Sequence, residues 1–294
     1  MNALVLLVAA RLACWPFEVS GQGTPPADVH VPAPAPAPAQ TAVSPSLPHD
    51  ERIRYDISYG VLGSIGALQV SAGAVAHLPE GEQVVSLQGA GSGSVLGLGA
   101  MQNHIDSEFD ARLLGARRWT FARGKPGQRA DQQTVDTGAW DGRGEARLHR
   151  RKPGQPDEAY AFRSALQTSD PLGLIWRLRT APPALGASDT LHVVDGLSLW
   201  RVRTTTVALA AAVPELDTTG IRVEGEVTPI FYDGLPDAGR SSRRFTMWME
   251  TGGSHVPLRI EIPLGPAHVV MRLVEAIRGP AAQVGAPVPG ARSL

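Results

Sequence analysis

From about Asp50 to Arg278 the chain repeats with a period of two, and that period decides most of what it can fold into. Side chains of an extended strand alternate between the faces of a sheet. Ile53, Tyr55, Ile57 and Tyr59 therefore share one face, and Arg54, Asp56 and Ser58 the other. Beyond residues 60–66, Leu68, Val70 and Ala72 alternate with Gln69 and Ser71, and residues 83–88 continue the meander. Asp195-Gly196, between the apolar runs 191–194 and 197–202, supplies the positive φ angles that a tight hairpin demands. Asp141-Gly142 after Trp140 is a second turn signal, and residues 251–254 separate two further runs, 245–250 and 258–262. Pro263, Gly265 and Pro266 end the latter, and residues 268–274 are placed to pair back on it.

One segment breaks the period. Asp170 offers a capping side chain and Pro171 tolerates a first helical position, because its missing N–H would have had no partner there. Leu172, Leu174, Ile175, Trp176 and Leu178 make the helix from Asp170 to Arg179 apolar on most sides, so it has to be buried. In an antiparallel protein it can lie across a barrel mouth or against the concave face of a curved sheet. The absence of long helices between strands argues against a doubly wound fold. The expected fold is mainly β: a curved antiparallel sheet or half-open β-barrel with one apolar helix.

Outside that span the composition changes. Residues 3–10 form an apolar run too short to cross a bilayer but of the size of a secretory signal's hydrophobic part. Val19-Ser20-Gly21 offers small residues for cleavage before Gln22, and Leu12-Ala13-Cys14 competes as a lipobox-like site for lipidation of Cys14. Prolines alternate through residues 31–38 and favour extended polyproline II. The expected plan is a signal at 1–21, a Pro/Ala-rich disordered linker at 22–49, an antiparallel β domain at 50–278 and a disordered tail at 279–294. The expected location is the periplasm or cell envelope. No other run approaches roughly 18 apolar residues, so no transmembrane helix is expected in the mature chain. Cys14 is the single cysteine, which excludes an internal disulfide framework and a Cys-based zinc site.

Candidate chemistry is sparse. A formal net charge of -1 gives no footprint for nucleic acid. The glycines of residues 89–99 fit neither a dinucleotide nor a P-loop spacing, and a flexible loop or bent strand edge accounts for them. No serine there sits in a nucleophile elbow. His104 and Asp106 share a strand face and could act as a base and its carboxylate; Asp106, Glu108 and Asp110 alternate as a metal or glycosidic site would, or as a solvated face does. No metal or cofactor is expected. Arg147, His149, Arg150, Arg151 and Lys152 form one basic cluster, suited to anionic head groups, to an acidic partner or to an ordinary loop. Trp119, Trp140, Trp176, Trp200 and Trp248 are five of the six tryptophans and, with Phe121, are expected to anchor the core.

The run Asp170-Pro171-Leu172-Gly173-Leu174-Ile175-Trp176-Arg177-Leu178-Arg179, then Gly186 and Val193-Val194-Asp195-Gly196-Leu197-Ser198-Leu199-Trp200, resembles the bacterial domain-of-unknown-function 3108 (DUF3108) family. Residues 51–60 with Gly66 are similar to that family's opening hairpin, and residues 247–250 and 256–260 to its closing strands. The chain departs from the pattern at residues 207–227, which are Ala-rich. The resemblance implies an exported envelope protein with a curved sheet similar to periplasmic lipid and lipoprotein carriers, and it carries over no catalytic residue. The expected function is non-enzymatic: an apolar or acyl ligand held in the half-open barrel, with the helix as a lid. Tyr55, Ile57, Tyr59, Leu172, Ile175, Trp176, Trp248 and Ile260 are the expected lining. The alternative is an envelope scaffold or protein-interaction module with a filled barrel, and a third reading is a hydrolase using His104 and Asp106. An interior able to hold several hundred cubic ångströms of ligand separates the first two.

Overall fold

A computed structural model describes residues 48–78, 82–95 and 99–279. The expected signal, Cys14 and nearly all of the linker and tail lie outside the described residues. Among the described residues fifteen strands and one α-helix follow in chain order: β1 (Glu51–Tyr59), β2 (Ser64–His77), β3 (Gln83–Val95), β4 (Gly99–Asp110), β5 (Gly115–Gly124), β6 (Thr134–Trp140), β7 (Glu145–Arg151), β8 (Glu158–Arg163), β9 (Thr168–Ser169), α1 (Pro171–Thr180), β10 (Ser188–Asp195), β11 (Ser198–Ala212), β12 (Thr219–Ile230), β13 (Arg243–Met249), β14 (Pro257–Leu264) and β15 (Ala267–Arg278).

All fifteen belong to one sheet, ordered β8-β7-β6-β5-β4-β3-β2-β1-β15-β14-β13-β12-β11-β10-β9. The chain thus makes two meanders joined where its first and last strands pair, Glu51 opposite Arg278 and Tyr59 opposite Val269. Every ladder is antiparallel except that of the two-residue β9, which runs parallel to β10. The sheet curls until β9 reaches β5, where the Ala116 amide donates to Ser169 Oγ at 3.1 Å. Strands β6–β8 overhang that seam. The expected curved, half-open barrel with one helix is therefore present.

The period of two sorts the core as expected. Ile53, Tyr55 and Ile57 of β1 join Leu68, Val70, Met247, Ile260 and Met271 in one large cluster. A second cluster, including Trp119, Leu148, Phe162, Leu199 and Ile230, fills the space between the overhang and the β10–β11 hairpin. At the hairpin tip Gly196 has φ +59, and a Cβ there would lie 2.5 Å from Asp136 Oδ2. Asp136 is itself buried between Arg123 and Arg150 and cannot retreat without losing both ion pairs. Gly196→Ala is accordingly expected to destabilise by about 1–3 kcal/mol, from the left-handed backbone and the overlap together; urea denaturation checks it.

Residues 89–95 are a strand, not a loop or an edge. They belong to β3, which pairs with β2 on one side and β4 on the other. Gly89 makes room for the helix, since a Cβ there would meet Ile105 Cγ2 at 2.7 Å and Leu172 Cδ2 at 3.2 Å, whereas a Cβ on Gly93 would meet the Ile65 carbonyl of β2 at 2.7 Å. A side-chain-free patch on the inner face is what lets α1 sit directly on the sheet.

Candidate functional site

The interior comes first, because a carrier would keep its ligand there. Asp170 caps α1 with Oδ1 accepting from the Gly173 amide at 2.7 Å, Pro171 follows, and nine of the ten helical residues are buried. Leu172 and Trp176 are fully buried. The indole Nε1 of Trp176 donates to the Pro48 carbonyl at 2.8 Å, which ties the helix to the chain ahead of β1. At the other end the Arg179 guanidinium bonds both oxygens of Glu51, donates from Nε to the Ser254 carbonyl at 3.1 Å and lies 4.5 Å over the Trp176 ring. His255 Nδ1 donates to the Arg179 carbonyl at 2.8 Å. Both side chains of the Glu51–Arg179 pair are buried.

Of the eight residues expected to line a ligand space, six meet in the main core: Tyr55, Ile57, Leu172, Ile175, Trp176 and Ile260. Tyr59 packs against that core and stays partly exposed. Trp248 does not join them. Its neighbours Met247 and Met249 point inward, so alternation turns Trp248 to the outer face, opposite Arg222 and Arg259. Trp119, Phe121 and Trp176 do anchor the core, whereas Trp140 and Trp200 are half-buried.

The helix start carries a titratable group. Burial pushes the Asp170 carboxyl up to about 6, against the opposing pull of the Gly173 amide bond. Its Oδ2, beside Ser107, completes no hydrogen bond. An acid whose folded pKa is raised favours the folded state fully below its ordinary value of 3.8 and loses that advantage as pH climbs through about 6. The loss amounts to about 3 kcal/mol. Asp170→Asn keeps an acceptor for Gly173 and removes the charge. It is expected to match the parent near pH 4 and to be the more stable protein above pH about 7; denaturation curves across that range check it.

The polar candidates disperse. His104 and Asp106 pair at 3.1 Å on the outer face of β4, each side chain about half exposed. Their hydrogen bond raises the imidazole and lowers the carboxyl. Asp110 is buried and caps its turn through the amides of Arg112 and Leu113, at 2.9 and 3.1 Å. Among the described residues no group of three His, Cys, Asp or Glu is placed to hold a metal. No helix there is long and apolar enough to cross a membrane. One unforeseen pair is Ser164 and His192, with Oγ 2.7 Å from Nδ1. Ser164 Oγ also lies 2.5 Å from the Leu166 carbonyl. That contact takes the hydroxyl proton, so the imidazole donates to Oγ. Burial and then Arg201 lower His192 to about 4, which leaves it neutral. This arrangement locks a loop and does not activate a nucleophile.

The basic cluster divides by the same alternation. Arg150 turns inward to Asp136 at 2.5 Å, while Arg147 and His149 face out. There they border a cavity of about 650 Å³ on the outer side of β5–β8. Register sets its shape. Arg118, Ala139 and Arg147 stand in one cross-strand row, and Thr120, Thr137 and His149 in the next. Small side chains at 137 and 139 leave a trough with a guanidinium on either side of Ala139. Glu145 takes Arg147 Nε at 2.7 Å, and Asp157 lies 3.5 Å from His149.

No family model matches the chain, and no curated protein matches it. Among solved structures it is similar to a beta-barrel-like protein of domain of unknown function DUF1849 from Brucella abortus. The two are 12% identical over 77% of this chain and 96% of that one, with a TM-score of 0.47.

Proposed function

We propose that the protein is a non-enzymatic, exported envelope module that binds partners on its outer surface, its barrel interior being filled by its own helix. The observation that carries this reading is the burial of α1, with Leu172, Leu174, Trp176 and Leu178 at or below 1% exposure. A helix that merely covered a ligand space would keep one face against that space. An apolar ligand inside would have to displace α1 and break the buried Glu51–Arg179 pair. Export rests on the apolar run 3–10 and the proline-rich stretch after it.

The binding surface we assign is the trough on β5–β8, and its occupant is an acidic segment of a partner protein. Arg118 and Arg147, the latter bonded through Nε to Glu145 and with its Nη donors left to a partner, stand on either side of a floor small enough for a polypeptide to approach. An oligo-glutamate peptide carrying a fluorophore is the probe. Saturable binding that weakens with salt and disappears in Arg118→Ala/Arg147→Ala is the expected result. Binding that survives the double substitution, or no binding at low salt, removes the trough from the account.

A further inference from the structure

A second feature lies on the opposite half of the sheet, far in sequence from the trough and independent of it. Arg222, Trp248, Arg259 and Arg272 are register neighbours on β12, β13, β14 and β15, and all four face outward. Trp248 and Arg259 are more than nine-tenths buried in this row. Five of the row's N–H nitrogens are buried without a hydrogen-bond acceptor: Arg222 Nε, Trp248 Nε1, Arg259 Nε, Arg259 Nη1 and Arg272 Nε. Buried donors are normally satisfied, and a guanidinium most of all, because an unmet charged donor keeps its full desolvation cost. Arg259 has one hydrogen bond, from Nη2 to Glu261 at 3.1 Å.

The acceptor closest to filling the gap is Glu215, in the β11–β12 turn. Its Oε2 pairs with Arg272 and approaches Arg259 Nη1 to 3.4 Å. Glu215 reaches them from a left-handed backbone, φ +65, that a non-glycine residue adopts at a cost, and its side chain is half exposed. One carboxylate on a strained, solvent-facing turn thus serves a row of donors that it leaves mostly unmet. Glu224 and Glu261 neutralise part of the row through Arg222 and Arg259, and Asp56 of β1 stands opposite Arg272, so removal of Glu215 takes away one of four carboxylates around three guanidiniums and the one that spans Arg259 and Arg272.

We propose that the Arg222–Trp248–Arg259–Arg272 row is a binding site for a phosphate group, with Glu215 as its built-in competitor. A phosphate offers several acceptor oxygens at once and suits a row of guanidinium and indole N–H donors better than a single carboxylate does. Arg272 and Glu215, both substantially exposed, form the entrance.

Calorimetric titration of the full chain with inorganic phosphate tests this. Saturable binding is expected, about fivefold tighter in Glu215→Gln, where an exposed competing ion pair is gone, and lost in Arg272→Met. Arg272 is 40% exposed, so that variant is expected to melt with the parent. Phosphate binding unchanged in both variants, or absent from both the parent and Glu215→Gln, overturns the proposal. Sedimentation with phosphatidylcholine vesicles, with and without phosphatidic acid, identifies the source. Binding only to the acidic vesicles, lost in Arg272→Met, assigns a lipid head group; phosphate binding without vesicle binding assigns free phosphate.

Discussion

Glu51→Gln is expected to lower stability by about 3–5 kcal/mol, the range for breaking a buried ion pair from one side. The substitution strands the Arg179 guanidinium, whose side chain has no exposed surface and whose remaining partners are the Ser254 carbonyl and the Trp176 ring. It acts on the fold's two fixed points at once, since Glu51 opens β1 and Arg179 lies in the last turn of α1. Removing both charges together, in Glu51→Leu/Arg179→Met, is expected to recover much of the loss, because the pair's own desolvation cost disappears with it. If the losses of the single variants Glu51→Leu and Arg179→Met added up to that of the double variant, the two residues would not be coupled and the helix would be held by packing alone.

Trp176→Ala is expected to cost about 3–5 kcal/mol, the range for deleting a large aromatic from a packed core. The indole has no exposed surface and lies within the main cluster. The cavity left would have the shape of an indole, with the Arg179 guanidinium over one face and the Pro48 carbonyl placed to accept from an N–H, so added indole is expected to raise the variant's melting temperature and leave the parent's unchanged. A loss below about 1 kcal/mol, together with indole stabilising the parent, would indicate an interior that already holds space.

Much of this was legible in the residues. Alternation at Ile53-Tyr55-Ile57 and at Leu68-Val70-Ala72 placed the first two strands on their correct faces, because a one-sided core leaves a period-two trace. Asp170-Pro171 marked the helix start for an equally local reason. Trp248 shows where judging by size misleads: the Phe245-Met247-Met249 alternation assigns position 248 to the outside, and the indole's bulk is no argument against parity. The glycines of β3 have no side chain to declare a face, so a strand smoothed to receive Leu172 read as a loop. Strands β6–β8 were marked by little more than Asp141-Gly142, since an overhang packed through a few large side chains needs no sustained apolar period. The pairs that pin the helix left no trace at all. Glu51 and Arg179 are 128 residues apart, and only the closure of the two meanders at β1 and β15 brings them together.

On the reading proposed above, α1 permanently fills the barrel. Native mass spectrometry of the full chain, produced with export and purified without detergent, then offered a bacterial lipid extract, tests it most directly. The bare polypeptide mass is expected both before and after the lipid is added. A stoichiometric lipid adduct on the parent chain, increased when the helix is loosened by Glu51→Gln, would contradict it and return the barrel interior to the role of a ligand site.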